Sequence, residues 1–255
     1  MQTPQFAEDA YLDVESEIAM SEPITVVLVE DHPALRKGME ILLGRHGHVI
    51  VGSVGDAATA YETISRAPPD VAVIDISLPR ENGAELTRRL SAENPDLRVL
   101  LYPGVDDAQT IQQALDCGAS GFALKAGAPE ELTAAIRTLA DGGTYMDPRL
   151  GALLARPATE RLHTLTQRER EILDLLAQGF TGAAAAERLF LSPDTVRTHV
   201  RNAMEKLQAR TRVQAVVLAM NQRAIEVDPA NASNDHEREA APPRRAPVRT
   251  GLSRL

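Results

Sequence analysis

Apolar residues fall along this chain in two regimes. From Ile24 they form short, nearly continuous runs: Ile24–Val29, Val49–Val54, Val71–Asp75, Val99–Tyr102 and Gly121–Leu124. Runs of four to six residues without polar alternation are the mark of strands buried on both faces. Between them the spacing changes to that of helices. Leu35, Met39, Leu42 and Leu43 follow Pro33; Leu86 pairs with Leu90; Ile111 is followed by Ala114 and Leu115; Leu132, Ile136 and Leu139 follow Pro129. Five strands alternating with helices predict an α/β unit over residues 23–147, a parallel sheet covered on both faces. Asp141-Gly142-Gly143 closes its last helix.

The second regime, residues 163–226, is helical throughout. Thr166 and Glu169 form a capping box ahead of Ile172, Leu173 and Leu176, and Gly179 ends that helix. Thr181 caps a short second helix with Ala186 and Leu189 inward. Ser192 and Pro193 stand at N-cap and N1 of a third, which buries Val196, Val200, Ala203 or Met204, and Leu207. A fourth carries Val213, Val216, Val217 and Met220 on one apolar stripe. Residues 148–162, with Pro148 and Pro157, read as a linker containing a short helix around Leu150–Leu154. Residues 1–22 and 227–255 are polar and read as disordered tails, the first acidic and the second containing Arg and Pro.

Composition narrows the setting. The 255 residues are 44% hydrophobic and 25% charged, with a single cysteine, Cys117, and no Trp. One cysteine excludes an internal disulfide, and no Cys/His cluster offers a zinc site. No apolar run approaches the ~18 residues of a membrane span, and the acidic N-terminus lacks the apolar core of a signal peptide. These features predict a cytoplasmic protein with no membrane partner. The net charge of −9 argues at first against nucleic acid, but its distribution does not. Residues 1–22 carry about −6 and residues 23–147 about −8, whereas residues 160–226 carry about +2. A DNA-binding footprint is judged domain by domain.

In an open parallel sheet the ligand crevice lies beyond the C-terminal ends of the strands. Glu30 and Asp31 follow the first strand, Asp75 ends the third and Lys125 follows the fifth. Clustered carboxylates need a cation, and an all-oxygen site suits Mg²⁺. Asp75 is then a nucleophile for a phosphoryl group, with Lys125 neutralising charge on that group. The stretches Val26-Val27-Leu28-Val29-Glu30-Asp31-His32-Pro33, Val73-Ile74-Asp75-Ile76-Ser77-Leu78-Pro79 and Gly118-Ala119-Ser120-Gly121-Phe122-Ala123-Leu124-Lys125 together resemble the receiver domain of NarL/FixJ-family response regulators. That resemblance implies a flavodoxin-like sheet of five strands in the order 2-1-3-4-5. It implies Asp75 as phospho-acceptor for a sensor histidine kinase, and Asp31 and Asp75 as direct Mg²⁺ ligands. Glu30 would act through water, and the Ser77 carbonyl would be a further ligand. Phe122 falls on the family's aromatic switch position.

Pro103 departs from the pattern. Counting back from Lys125, it occupies the place of the family's switch Ser or Thr. Proline has neither a hydroxyl nor an N–H, so it cannot bond a phosphoryl oxygen. Tyr102 is adjacent, but strand alternation points it to the other side. A phosphatase of the haloacid-dehalogenase type also uses a strand-end Asp, but it needs a second Asp where Ser77 stands; an enzyme reading is therefore set aside.

On the third helix of the C-terminal unit, Thr195, Arg197, Thr198, Arg201 and Asn202 lie opposite the apolar face. Arg reads guanine bidentately, and Thr and Asn make smaller base or phosphate contacts. A short helix, a turn and a polar, basic helix make a helix-turn-helix. Leu165-Thr166-Gln167-Arg168-Glu169-Arg170-Glu171, Leu191-Ser192-Pro193-Asp194-Thr195-Val196-Arg197-Thr198-His199-Val200 and Lys206-Leu207 resemble the four-helix LuxR-type DNA-binding domain. The resemblance implies base contacts from Arg197, Thr198 and Arg201, and a homodimer through the fourth helix, which its apolar stripe, expected to be exposed, independently suggests. Gly182-Ala183-Ala184-Ala185-Ala186 is unusual at the start of the positioning helix. It supplies no phosphate-binding side chain and packs less than the family's Ile, which predicts weaker DNA binding or a looser domain. The expectation is a two-component response regulator acting on DNA. The alternatives are a regulator that binds DNA without phosphate control, and an interaction module that has lost DNA binding.

Overall fold

The computed structural model describes residues 22–104, 108–150, 165–222 and 224–225. The two tails and most of the linker, with its expected helix at Leu150–Leu154, lie outside the described residues; Pro148–Leu150 is helical.

Six parallel strands make one sheet: β1 (Thr25–Val29), β2 (Val49–Val54), β3 (Val71–Ile74), β4 (Arg98–Leu101), β5 (Gly121–Phe122) and β6 (Tyr145–Met146), in the order β2-β1-β3-β4-β5-β6. The five expected strands are present in the expected order. The sixth was not expected and extends the sheet by one edge strand. It forms because Gly142, at φ +86, turns the chain after the last sheet helix. Tyr145 and Met146 then pair with Gly121 and Phe122, and the Asp147 N–H donates to the Phe122 carbonyl.

Helices α1 (Pro33–Arg45) and α5 (Pro129–Ala140) cover one face of the sheet. Helices α2 (Ala57–Arg66), α3 (Gly83–Glu93) and α4 (Ala108–Ala114) cover the other. The strand residues divide between the faces by alternation. Val26, Leu28, Val73, Leu100 and Tyr102 pack with Met39, Leu43 and Ile136, while Val27, Val29, Ile74, Leu101 and Phe122 pack with Ile64, Leu86 and Ile111. Tyr102 therefore points away from the face of Leu101, as alternation requires. β2 is an edge strand whose register with β1 slips between Val26 and Val27, a bulge of the kind that blunts exposed edges.

The C-terminal domain has four helices: α6 (Gln167–Ala177), α7 (Gly182–Arg188), α8 (Pro193–Leu207) and α9 (Arg212–Asn221). Each start is capped as the sequence indicates. The hydroxyls of Thr166, Thr181, Ser192 and Thr211 accept the N–H of Glu169, Ala184, Thr195 and Gln214. The core contains Ile172, Leu173, Leu176, Ala185, Ala186, Val196, Val200, Ala203, Leu207, Ala215 and Val216. Glu169 is buried, and its carboxylate receives two hydrogen bonds from Lys206 Nζ, at 2.9 and 2.7 Å, and one from the Thr166 N–H at 2.7 Å. This pair ties the start of α6 to the end of α8. Burial pushes the Glu169 pKa up, but Lys206 and the Thr166 bonds outweigh it and leave it below the usual value.

The stripe expected on the surface of α9 is inside the molecule. Val213, Val216 and Val217 are each 1% exposed or less, and only Met220 is partly open. Val216 belongs to the helical core, while Val213 and Val217 pack into the sheet domain's core. Around them the Thr211 hydroxyl donates to the Leu115 carbonyl at 3.0 Å, and Arg210 pairs with Asp116 at 2.9 Å. Gly143 approaches so closely that a Cβ there would stand 2.7 Å from the Gly179 carbonyl oxygen.

Candidate functional site: the acid cluster and the recognition helix

The strand ends bring the predicted acids together. Glu30 and Asp75 are almost completely buried, and Lys125 Nζ lies 2.7 Å from Glu30 Oε2 and 2.9 Å from Asp75 Oδ2. Lys125 reaches them because β5 ends beside β4, and its N–H donates to the Pro103 carbonyl. Burial works against its ammonium, but Asp75 and Glu30 prevail and hold its pKa above the usual value. Asp75 Oδ1 accepts the Ser77 N–H at 3.1 Å.

Glu30, Asp31 and His32 offer donor atoms within 4.8 Å of one another. His32 Nδ1 stands 3.0 Å from Asp31 Oδ1 and 3.2 Å from Glu30 Oε1. His32 was not among the expected site residues, although its place directly after the acid pair was visible. Apart from its contact with His32 Nδ1, the buried Asp31 Oδ1 makes no hydrogen bond, so a hard cation could take this oxygen. Asp75, expected as a ligand beside them, is not in this group of three; Lys125 Nζ bridges it to Glu30.

Gly83 is a second residue that pattern reading passed over. A Cβ there would lie 2.0 Å from the Asp75 carbonyl oxygen. The first turn of α3 can approach the strand end only because this position is glycine, with the Gly83 N–H bonded to the Ile76 carbonyl.

Pro103 is buried beside the cluster, and Phe122 is fully buried on the α2–α4 face. The Asp147 carboxylate accepts the Leu124 N–H and pairs with Arg149. Arg149 also reaches Glu131 at 2.6 Å and the Ala126 carbonyl at 3.4 Å. The start of the linker is thereby fastened to the loop that carries Lys125.

On α8 the side chains of Arg197, Thr198 and Arg201 are exposed, and Thr195 and Asn202 are partly so. Arg197 pairs with Asp194 in its own first turn, Thr198 donates to the Asp194 carbonyl, and Thr195 bonds the Ser192 cap. Arg197, Arg201 and Arg212 line one open groove with Met204 and Glu205. The contact between the domains leaves this polar face open. In α7, Ala185 and Ala186 are buried while Ala183 is exposed, so the alanine run provides both the inward and the outward positions. In the turn that follows, Phe190 adopts φ 55 and is 96% exposed.

An acid cluster with a lysine at the strand ends of a doubly wound sheet, joined to a helix-turn-helix, defines a signal-receiving transcription regulator. Comparison with known proteins agrees. The response regulator receiver domain family matches residues 26–137, and the bacterial regulatory protein luxR family matches residues 163–219. The chain is 37% identical over 203 residues to the DNA-binding transcriptional activator DevR/DosR of Mycobacterium tuberculosis, covering 77% of this chain and 94% of that protein. It is 32% identical over 210 residues to the nitrate/nitrite response regulator protein NarL of Escherichia coli, covering 79% and 97%. A solved LuxR-family two-component response regulator from Aurantimonas sp. aligns with a TM-score of 0.51 at 31% identity, over 55% of this chain and all of that one. The chain belongs to the NarL/FixJ family of response regulators: a receiver joined to a LuxR-type DNA-binding domain, in a two-component transcription factor. Among the described residues no helix is long and apolar enough to cross a membrane.

Proposed function

We propose that Asp75 accepts a phosphoryl group from a sensor histidine kinase and that the acceptance changes how α9 is held. The observation that carries this reading is the buried Glu30–Lys125–Asp75 arrangement, with Lys125 Nζ within 2.9 Å of both carboxylates. In the transfer the phosphorus–nitrogen bond of a kinase phosphohistidine breaks as a bond forms from an Asp75 carboxylate oxygen. The imidazole leaves with the electron pair and takes up a proton. Lys125 exchanges its ion pair with Asp75 for one with the incoming phosphoryl oxygens, and the Ser77 N–H holds the other Asp75 oxygen in place. Glu30, Asp31, Asp75 and the Ser77 carbonyl would hold Mg²⁺, and the closely set Glu30 and Asp31 carboxylates favour such an ion. Bound there, Mg²⁺ would offset negative charge on the transferring group.

Thr195, Arg197, Thr198, Arg201 and Asn202 then read DNA, with the two arginines on base edges. Homodimerisation would use Val213, Val217 and Met220; Val216, expected in the same stripe, is spent in the helical core. Since Val213 and Val217 are covered by the receiver, opening of that contact must precede it. Receiver boundaries of 23–147, a linker of 148–162 and a DNA-binding domain of 163–226 fit this division of labour.

Pro103 favours a second reading, in which DNA binding does not follow phosphorylation. With no switch hydroxyl, and with Phe122 already buried, the usual movement at the aromatic position has no trigger. The test is phosphoryl loading with acetyl phosphate and Mg²⁺, followed by intact mass and DNA affinity. An adduct on wild type that is absent from Asp75→Ala supports the acceptor, and no adduct on wild type sinks it. Tighter DNA binding after loading supports the first reading; unchanged affinity in a fully loaded sample selects the second.

A further inference from the structure

The tip of Lys125 is held by Glu30 and Asp75, but the loop that carries it is held from elsewhere. β5 has only two residues. On the β4 side the chain beyond it is still pinned by ladder bonds, from the Ala123 N–H to the Leu101 carbonyl at 3.0 Å and from the Lys125 N–H to the Pro103 carbonyl at 2.9 Å. On the β6 side the next bond of a parallel ladder would run from the Leu124 N–H to the Asp147 carbonyl. That carbonyl instead accepts the Leu150 N–H, in the helical turn that opens the linker. The Asp147 carboxylate takes its place, with Oδ2 accepting the Leu124 N–H at 3.3 Å.

Asp147 is 1% exposed, and a carboxylate so buried needs a partner. Arg149 meets it as a fork: Nε lies 2.8 Å from Asp147 Oδ1, and Nη2 lies 2.5 Å from Oδ2. The same guanidinium donates to Glu131 Oε2 at 2.6 Å and to the Ala126 carbonyl at 3.4 Å. Glu131 Oε2 also accepts the Ala128 N–H at 3.1 Å. The loop from Leu124 to Ala128 is thus held at three points by one guanidinium and the two carboxylates beside it. It is pressed against them as well, since a Cβ on Gly127 would stand 2.9 Å from Arg149 Nη2 and closer still to Glu131 Oε2.

We infer that Asp147 and Arg149 are positioning residues for phosphoryl transfer, because they set where Lys125 stands. The inference rests on Asp75 being the phospho-acceptor. A group that stabilises transferring charge must be closely placed: a misplacement of about 1 Å can cost about 100-fold in rate. β4 is followed at its end by Pro103, which offers no hydroxyl to the phosphoryl oxygens, so more of that charge falls to Lys125. Arg149 lies inside the expected linker of 148–162, and the first turn of that linker is thereby part of the phosphoryl site.

The test is a double-mutant cycle on the rate of phosphoryl loading in the full chain, with saturating acetyl phosphate and Mg²⁺ and intact mass as the readout. Arg149→Gln should slow loading about tenfold. Arg149→Lys keeps a charge for Asp147 but loses the fork, and should slow it about threefold. In a Lys125→Ala background, read over a longer incubation, each change should slow loading by less than about twofold, because the contacts act through Lys125. Urea unfolding checks that each variant is folded. If Arg149→Gln unfolds the receiver by leaving Asp147 buried without its partner, the Arg149→Lys cycle decides by the same comparison. An equal loss in both backgrounds would mean that the contacts only brace the fold, and would overturn the inference. Undiminished loading in a folded Arg149 variant would overturn it too. No adduct on wild type would instead overturn the phospho-acceptor reading, and the inference with it, so the wild-type arm separates the two failures.

Discussion

The Glu169–Lys206 pair gives the sharpest test of how the DNA-binding domain is held together. Glu169→Ala removes half of a capping box, which contributes about 0.5–1 kcal/mol at a helix start. It also removes charged hydrogen bonds to Lys206, a kind that contributes about 1.5–3 kcal/mol. Lys206 is 35% exposed in its side chain, so its ammonium can turn to water and the lower half of that range applies. The expected loss is about 2–3 kcal/mol. Glu169→Gln keeps an acceptor for the Thr166 N–H and should lose only about 1–2 kcal/mol. The folded carboxyl is held below its ordinary value, so its contribution is complete above the unfolded pKa near 4.5 and disappears as pH falls through the folded value. The gap between wild type and Glu169→Gln should therefore shrink below about pH 4. Hydrogen exchange of peptides from α6 and α8 reads this domain separately from the receiver. A loss below about 0.5 kcal/mol for Glu169→Ala, or a Gln variant as unstable as the Ala variant at neutral pH, would refute the reasoning.

Gly83→Ala should destabilise the receiver by about 3 kcal/mol or more in urea unfolding, because the added methyl meets backbone rather than a movable side chain; it should also abolish phosphoryl loading. Arg197→Ala combined with Arg201→Ala should weaken DNA binding about tenfold or more in a titration at fixed salt, with the helical circular dichroism unchanged. Arg210→Ala removes an ion pair whose arginine is 78% exposed. Such pairs contribute about 0–1 kcal/mol, so the domain contact should loosen by at most about fivefold when followed by domain-to-domain energy transfer.

The strands of the receiver were legible because buried parallel strands are written as runs of Val, Ile and Leu, and the acids stood at their ends. β6 was not, since two residues carry no period; pairing with β5 makes it a strand. The helix starts in the C-terminal domain were legible from Thr166, Thr181 and Ser192, whose caps are local chemistry. The Glu169–Lys206 pair was not, because nothing local links residues 37 positions apart. The valines of α9 show the limit of periodicity. Spacing told which positions form an apolar stripe but not what covers it, and the receiver rather than a second copy lies over Val213 and Val217. Gly83 belongs to the same class, its necessity arising only when α3 meets the end of β3.

Receiver and DNA-binding domain share one chain, so the contact over α9 closes against a partner that can never diffuse away. Two domains on a short tether experience each other at an effective concentration on the order of millimolar. A junction that includes two valines, one hydroxyl hydrogen bond, one exposed ion pair and the close approach of Gly143 to Gly179 need therefore be no stronger than a millimolar complex to be half closed, about 4 kcal/mol of intrinsic affinity. At such a balance a change of about 1.4 kcal/mol moves the open-to-closed ratio tenfold. A tethered contact balanced in this way would be adjustable without being strong.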